Sequence, residues 1–365
     1  MAGPERAEPP AREDAPLPAA GTLDRVGQLL RALPGRGVDA WGALDGVIGD
    51  RLAHQGSALA LPLTFRTASG EELPLDRDEL RDRLPDAGDR LCVLVHGLMS
   101  SERVWGFPGE PGVTYGELLA RDHGVIPVYV RYNSGRHIST NGRDLARRLQ
   151  ELVRCWPVRL REISLVGHSM GGLVVRSACH YGRHGARLAD RVRRRGPWTA
   201  TVHRLVLLGA PNTGANLEVV ANLTSSMLWA IPTPVTRLLG AGLDHRSDGI
   251  KDLRWGAVLD DDWLERDPAG TRRPILHPVR VPAGARILAV AGSLVTEEDG
   301  PDHPSHPVNR VLGDALVTAP SATGHLGDEV PPLLPNATVH RCPRISHVAL
   351  ANRAEVYDLI DEWWD

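Results

Sequence analysis

The chain has 365 residues, of which 42% are hydrophobic and 24% charged, with a net charge of −3. That length allows one large α/β domain or two smaller ones, with a sizeable buried core, and the near-balanced charge excludes a global field drawing the protein to nucleic acid or an anionic membrane. The four cysteines, Cys92, Cys155, Cys179 and Cys342, form no close-spaced pair; this argues against zinc and CxxC redox sites and fits buried thiols.

Residues 1–20 are rich in Pro, Ala and charge and are expected to form a disordered tail. They lack the apolar core of about 7–15 residues that a signal peptide needs. No later run reaches the roughly 18 apolar residues of a membrane span, so the expected location is the cytoplasm. Residues 21–87 are read as an N-terminal helical extension followed by the first strands. Leu23, Val26, Leu29 and Leu30 carry helical spacing, "LPGRG" breaks it, and "LPLTF" (61–65) is strand-like.

From residue 88 the pattern alternates. "LCVLV" (91–95) and "VIPVYVRY" (125–132) predict strands. Leu145, Leu149, Leu152, Val153 and Trp156 share one face of a helix over 139–156. The strand "ISLV" and a helix from Gly171 follow. Then come the strands "HRLVLLG" (203–209), "RILAVAG" (286–292) and "ATVHR" (337–341), and a closing helix over 349–364. Continuous apolar strands alternating with helices predict an α/β fold, with a mostly parallel sheet and helices on both faces. Sites in such sheets lie beyond the carboxyl ends of the strands, so "HGLMSS", "GHSMG" and "LGAPNTG" are expected along one edge. The interval 212–284 is too long for a plain connection. It holds a segment with no charged residue from Val219 to Thr236 and is read as an inserted cap, in preference to an extra helix pair.

At Gly167-His168-Ser169-Met170-Gly171 a strand meets a helix. A serine on such a tight bend is lifted clear of the sheet, and the glycines leave room for the chain to turn. The plainer alternative is a helix N-cap serine. A serine hydroxyl needs a base, and the base needs a third group to hold its tautomer; on a strand–elbow–helix scaffold these follow in the order Ser, acid, His. Among the later histidines, His347 follows the last strand and precedes the last helix; His325 is the second choice. His303 and His306 read as exposed loop residues. Acid candidates are Glu297, Glu298, Asp299, Asp302 and Asp314. Asp314 is preferred because it stands alone among apolar residues, where a carboxylate needs a partner. Oxyanion donors are expected at the Met170 N–H, after the nucleophile, and the Leu98 N–H, after His96-Gly97. His96 itself is read as structural. The Arg-rich run 187–198 is read as a solvated helix face in preference to an anion-binding one.

"VLVHGLMSS", "SLVGHSMGGLVVR", "LVLLGAPNTGANLE", "LGDALVTAPSA" and "ISHVALANRAEVYDLIDEWW" together resemble the lipase-like branch of the α/β-hydrolases, which includes bacterial triacylglycerol lipases and GPI inositol-deacylase-like esterases. "LGAPNTGA" is similar to their "LGTPHxGA", and "GDALV" to their "GDGLV", with Ala315 where glycine is usual. The resemblance covers about 88–365, the α/β-hydrolase catalytic domain with its cap, which matches least. It implies an eight-stranded, mostly parallel sheet, a triad of Ser169, Asp314 and His347, and no organic cofactor. The activity it implies is carboxylic ester hydrolysis, with a hydrophobic or lipidic acyl group suggested by the apolar cap. A thioesterase, an acyltransferase and a non-catalytic binding homologue are the alternatives. No metal and no nucleic-acid partner are expected. The expected partner is a small-molecule ester or lipid, with room for transient contact with a membrane surface. The oligomeric state is left open.

Overall fold

In the computed structural model the described residues are 60–184, 197–215, 247–264, 276–279, 281–293, 314, 317–324 and 333–365, with positions 42, 45, 46, 49, 50 and 52–54 of the N-terminal segment. The expected tail (1–20), the uncharged run of the expected cap (219–236), most of the Arg-rich run, His303, His306, His325 and the acidic group Glu297, Glu298, Asp299 and Asp302 lie outside them.

The strands are β1 (Thr64–Arg66), β2 (Glu72–Leu73), β3 (Arg90–Val95), β4 (Ile126–Arg131), β5 (Glu162–His168), β6 (Val202–Leu208), β7 (Arg286–Ser293) and β8 (Thr338–Pro343). They form one sheet in the order β2-β1-β4-β3-β5-β6-β7-β8. Pairing from β4 through β8 is parallel, while β1 pairs antiparallel with both of its neighbours, β4 and β2. The expected eight-stranded, mostly parallel sheet is therefore the one the structure has.

Side chains alternate across a strand, and here both faces are buried. Leu91, Val93 and Val95 belong to one core cluster, and Cys92 and Leu94 to the other. This explains why β3 reads as an unbroken apolar run. On the first face pack α3 (Ile138–Cys155), through Leu145, Leu149 and Leu152, and α4 (Met170–His184), through Leu173 and Val174. On the second pack α2 (Tyr115–His123), through Tyr115 and Leu119, and α8 (Ala354–Trp364), through Val356, Ile360 and Trp364. Burying each Leu or Val of this kind contributes about 1.5–3 kcal/mol. The last turn of α8 leaves carbonyls without helical partners. Arg204 Nε donates to Trp364 O at 2.6 Å and an Arg286 guanidinium nitrogen to Trp363 O at 2.7 Å, tying the helix end to β6 and β7.

Four short α-helices are also described: α1 (Arg77–Arg83), α5 (Asp248–Trp255), α6 (Asp260–Leu264) and α7 (Ala319–Thr323). Of the interval read as a cap, α5 and α6 are among the described parts. The closing helix is shorter than its pattern suggests. Val348–Ala351 forms a 3-10 turn, Asn352 leaves the helical conformation, Arg353 is extended, and α8 begins at Ala354. The break keeps His347 in the loop between β8 and α8, off the long helix. Among the described residues no helix is long and apolar enough to cross a membrane. All four cysteines are free; Cys92, Cys179 and Cys342 are buried and Cys155 partly so.

Candidate active site

Ser169 follows directly on β5 and precedes the first residue of α4, with φ at +55°. That left-handed conformation strains a residue with a side chain. Its N–H donates to Leu208 O at 2.8 Å, which fixes the turn against the end of β6. The flanking glycines are required by contact. A methyl group on Gly167 would lie 2.6 Å from Gly172 Cα, and one on Gly171 2.2 Å from Val95 O. The residues expected from sequence to permit a sharp strand-to-helix bend are therefore those at which backbone meets backbone.

His347 and Asp314 meet as a buried pair, 4% and 0% exposed. His347 Nδ1 lies 2.7 Å from Asp314 Oδ2. A carboxylate only accepts, so Nδ1 is the donor of this bond, and in the neutral ring Nε2 is then the nitrogen that carries the lone pair. Asp314 Oδ1 accepts the Val317 N–H at 2.8 Å, and the His347 N–H donates to Asp314 O at 3.1 Å. Both carboxylate oxygens and the main chain thus fix the ring.

Two contacts bring this pair to Ser169. His168 Nε2 donates to His347 O at 2.9 Å, and the His168 and His347 rings lie 5.0 Å apart. Gly209, next to the Leu208 carbonyl that holds Ser169, lies against the His347 ring: a methyl group there would be 3.1 Å from Nδ1 and Cε1. The structure thus gathers Ser169, His347 and Asp314 at the carboxyl ends of β5, β6 and β7. Asp314 is the described member of the acid candidates.

His96 and Gly97 bring a second loop to the same place, since a methyl group on Gly97 would lie 2.9 Å from Ser169 Cβ. Leu98 follows. Met170 opens α4, where first-turn N–H groups have no helical acceptor. The His96 ring donates from Nδ1 to Gly97 O at 2.8 Å and stacks on Tyr132 at 4.5 Å, the local holding expected of a structural histidine.

Sequence reading passed over two residues behind this loop. Ser134 Oγ accepts the Met99 N–H at 3.0 Å, and Asp45 Oδ2 accepts the Ser134 N–H at 3.0 Å. It also passed over Arg176, buried in α4 and bonded at 2.9 Å to Asn212 Oδ1. Asn212 in turn donates to Ala210 O and Ala322 O. The polar "PNTG" after β6 was the available signal for Asn212; an arginine in a helix carries none, since it normally snorkels to solvent.

Burial drives His96 down to about 4, and burial followed by the neighbouring His347 drives His168 down to about 3. In the unfolded chain both protonate near 6.5. Below that value the unfolded state binds more protons, so stability falls as pH drops from 6.5 toward 4 and then 3. Each ring adds up to about 1.4 kcal/mol per pH unit to that slope. His96→Phe keeps the stack on Tyr132 and should flatten the acid-side dependence of the urea midpoint by one such share. An unaltered slope would show that His96 is not held neutral.

An eight-stranded, mostly parallel sheet with helices on both faces carries a strained serine at the turn from β5 into α4. This is the α/β-hydrolase fold. Residues 85–196, which span β3 to α4, match the family described as putative serine esterase (DUF676). Solved structures resemble the chain more loosely. The mature lipase BlEst2 of Bacillus licheniformis is 20% identical at a TM-score of 0.45, over 76% of this chain and 93% of its own. The carboxylesterase CesB (YbfK) of Bacillus subtilis is 13% identical at 0.39, over 76% and 82%. A thermophilic esterase of Thermogutta terrifontis is 15% identical at 0.39, over 76% and 90%. No curated protein matched the chain.

Proposed function

We propose that the protein is a serine hydrolase of carboxylic esters, acting through an acyl-enzyme. The observation that carries this reading is the buried His347–Asp314 pair, bonded at 2.7 Å, beside a serine at φ +55° on the elbow into α4. The match of residues 85–196 to a serine esterase family supports it.

In this reading His347 Nε2 takes the Ser169 hydroxyl proton as Oγ attacks the ester carbonyl carbon. The carbonyl oxygen becomes an oxyanion and is held by the Leu98 and Met170 N–H groups. The C–O bond to the alcohol breaks, and the alcohol leaves with the proton from His347. A water then repeats the sequence on the acyl-enzyme and releases the acid. Asp314 keeps the proton on Nδ1 and stabilises the imidazolium. The acyl portion is hydrophobic or lipidic, a preference that rests on the uncharged run from Val219 to Thr236 after the β6 loop.

The test is hydrolysis of p-nitrophenyl esters from acetate to palmitate by wild type and Ser169→Ala. Turnover is expected to rise toward medium and long chains and to vanish in the variant. Equal turnover in both proteins would remove Ser169 as the nucleophile. A maximum at acetate would remove the hydrophobic acyl preference, and ester formation outpacing hydrolysis on addition of an alcohol would make the protein an acyltransferase.

A further inference from the structure

Gly42, Gly46 and Gly49 of the N-terminal segment lie close against the loops at the carboxyl edge of the sheet. A methyl group on Gly46 would lie 2.3 Å from Met99 Cγ and 3.0 Å from Met99 N, and one on Gly42 2.5 Å from Ser100 O. From the other side, a methyl group on Gly135 would lie 2.3 Å from Asp45 O. Asn133 Nδ2 donates to Gly49 O at 2.8 Å. Ser247 Oγ, at the head of α5, donates to Gly46 O at 2.7 Å, and the Asp248 N–H donates to Asp50 Oδ2 at 3.1 Å. The segment is thus wedged between α5 and the loop that carries Leu98.

Asp45 is the polar anchor of this wedge. It is 2% exposed, and its Oδ2 accepts the Ser134 N–H. Ser134, 1% exposed, accepts the Met99 N–H on its hydroxyl oxygen. Met99 sits at φ +56°, a conformation a methionine keeps only when its surroundings enforce it. The Met99 N–H shares its peptide plane with the Leu98 carbonyl, so the chain Asp45–Ser134–Met99 pins the backbone on the far side of Leu98 and restricts how far the Leu98 N–H, one plane earlier, can swing.

We propose that Gly42, Asp45, Gly46, Gly49 and Asp50 clamp the oxyanion loop and that Asp45, through Ser134 and Met99, is a positioning residue for the Leu98 N–H. This rests on the oxyanion role given to Leu98 above. A buried carboxyl is an expensive way to hold one amide, and the position it fixes is the one where a small misalignment costs rate. Burial holds the Asp45 carboxyl well above the ordinary carboxylate range; the bond to Ser134 uses a single accepting oxygen, and asparagine copies that oxygen and the shape around it.

The experiment compares full-length wild type, Asp45→Ala, Asp45→Asn and Ser134→Ala on one p-nitrophenyl ester, with Ser169→Ala as control. Inhibition by a trifluoromethyl ketone, which becomes tetrahedral on the serine and needs the same N–H groups, is measured alongside. Asp45→Ala and Ser134→Ala are expected to lower kcat by about 10- to 100-fold, short of the loss for deleting a donor outright. KM should stay within about twofold, because uniform binding is untouched. The ketone inhibition constant should rise by the factor by which kcat/KM falls, and Asp45→Asn should stay close to wild type. A folded Asp45→Ala protein with wild-type kcat, or one whose loss falls on KM with the ketone unaffected, overturns the proposal. If Asp45→Ala does not fold, Ser134→Ala decides, since it removes only the acceptor for Met99. Turnover that survives in Ser169→Ala sinks the hydrolase reading itself and is seen before any Asp45 variant is compared.

Discussion

Asp314→Asn is expected to lower kcat by about 10⁴ while leaving KM within a few-fold. The geometry gives the reason. Oδ1 accepts from Val317 N–H at 2.8 Å and Oδ2 from His347 Nδ1 at 2.7 Å, so both oxygens face donors. An asparagine can satisfy only one of them with its oxygen. If that oxygen stays on Val317, the amide NH₂ faces His347 and the ring must move its proton to Nε2. It then has no lone pair where the Ser169 proton must go. If the oxygen stays on His347, two N–H groups meet at Val317 in a site with 0% exposure, which favours the first arrangement. The backbone bond from His347 N–H to Asp314 O is untouched, so the loop should stay in place and the melting temperature should move little. The measurement is kcat on the best p-nitrophenyl ester beside thermal unfolding. A fall of less than about tenfold in a folded variant would take the orienting role away from Asp314.

The strands of the sheet's centre were readable because both of their faces are buried. Cys92 and Leu94 are as dry as Leu91, Val93 and Val95, so the run carries no polar interruption. The two-residue β2 (Glu72–Leu73) has no such signal: Glu72 is exposed, and the strand exists through its pairing with Phe65 and Arg66. Ser169 and His347 stand out as candidates from local chemistry and chain order. Asp314 stands out as a candidate because a single carboxylate among apolar residues demands a donor, and each of its oxygens has one. The support behind Leu98 does not stand out. Asp45 and Ser134 are 89 residues apart, and their elements meet through glycines, which leave no hydrophobic stripe to follow. Arg176 was hidden for a related reason. Its burial depends on Asn212, and no helical periodicity distinguishes a buried arginine from one at the surface.

Gly171→Ala should cost stability and rate together, against the sign that helix propensity gives. Within a helix, glycine to alanine normally stabilises by about 1 kcal/mol, and Gly171 lies in the first turn of α4. Here the added methyl would sit 2.2 Å from Val95 O and 2.4 Å from His96 O. Both are main-chain atoms at the end of β3, so no side chain can rotate away to make room. Either α4 draws back from the sheet or the β3 end is pushed outward, and overpacking of this kind costs about 1–3 kcal/mol or more. With propensity working the other way, the net loss should be about 1 kcal/mol, and up to about 2 kcal/mol if the main chain yields little. The rate effect should be larger, because both movements act on the proposed chemistry. Drawing α4 back shifts Met170 and the turn at Ser169; pushing β3 out shifts Gly97 and Leu98. A displacement near 1 Å at either place is worth about 100-fold in kcat. Urea unfolding and kcat on the same preparation would read both effects. Stability raised by the propensity increment, with rate unchanged, would mean that strand and helix have slack at this turn, and that the glycine is not what holds Ser169 over the sheet edge.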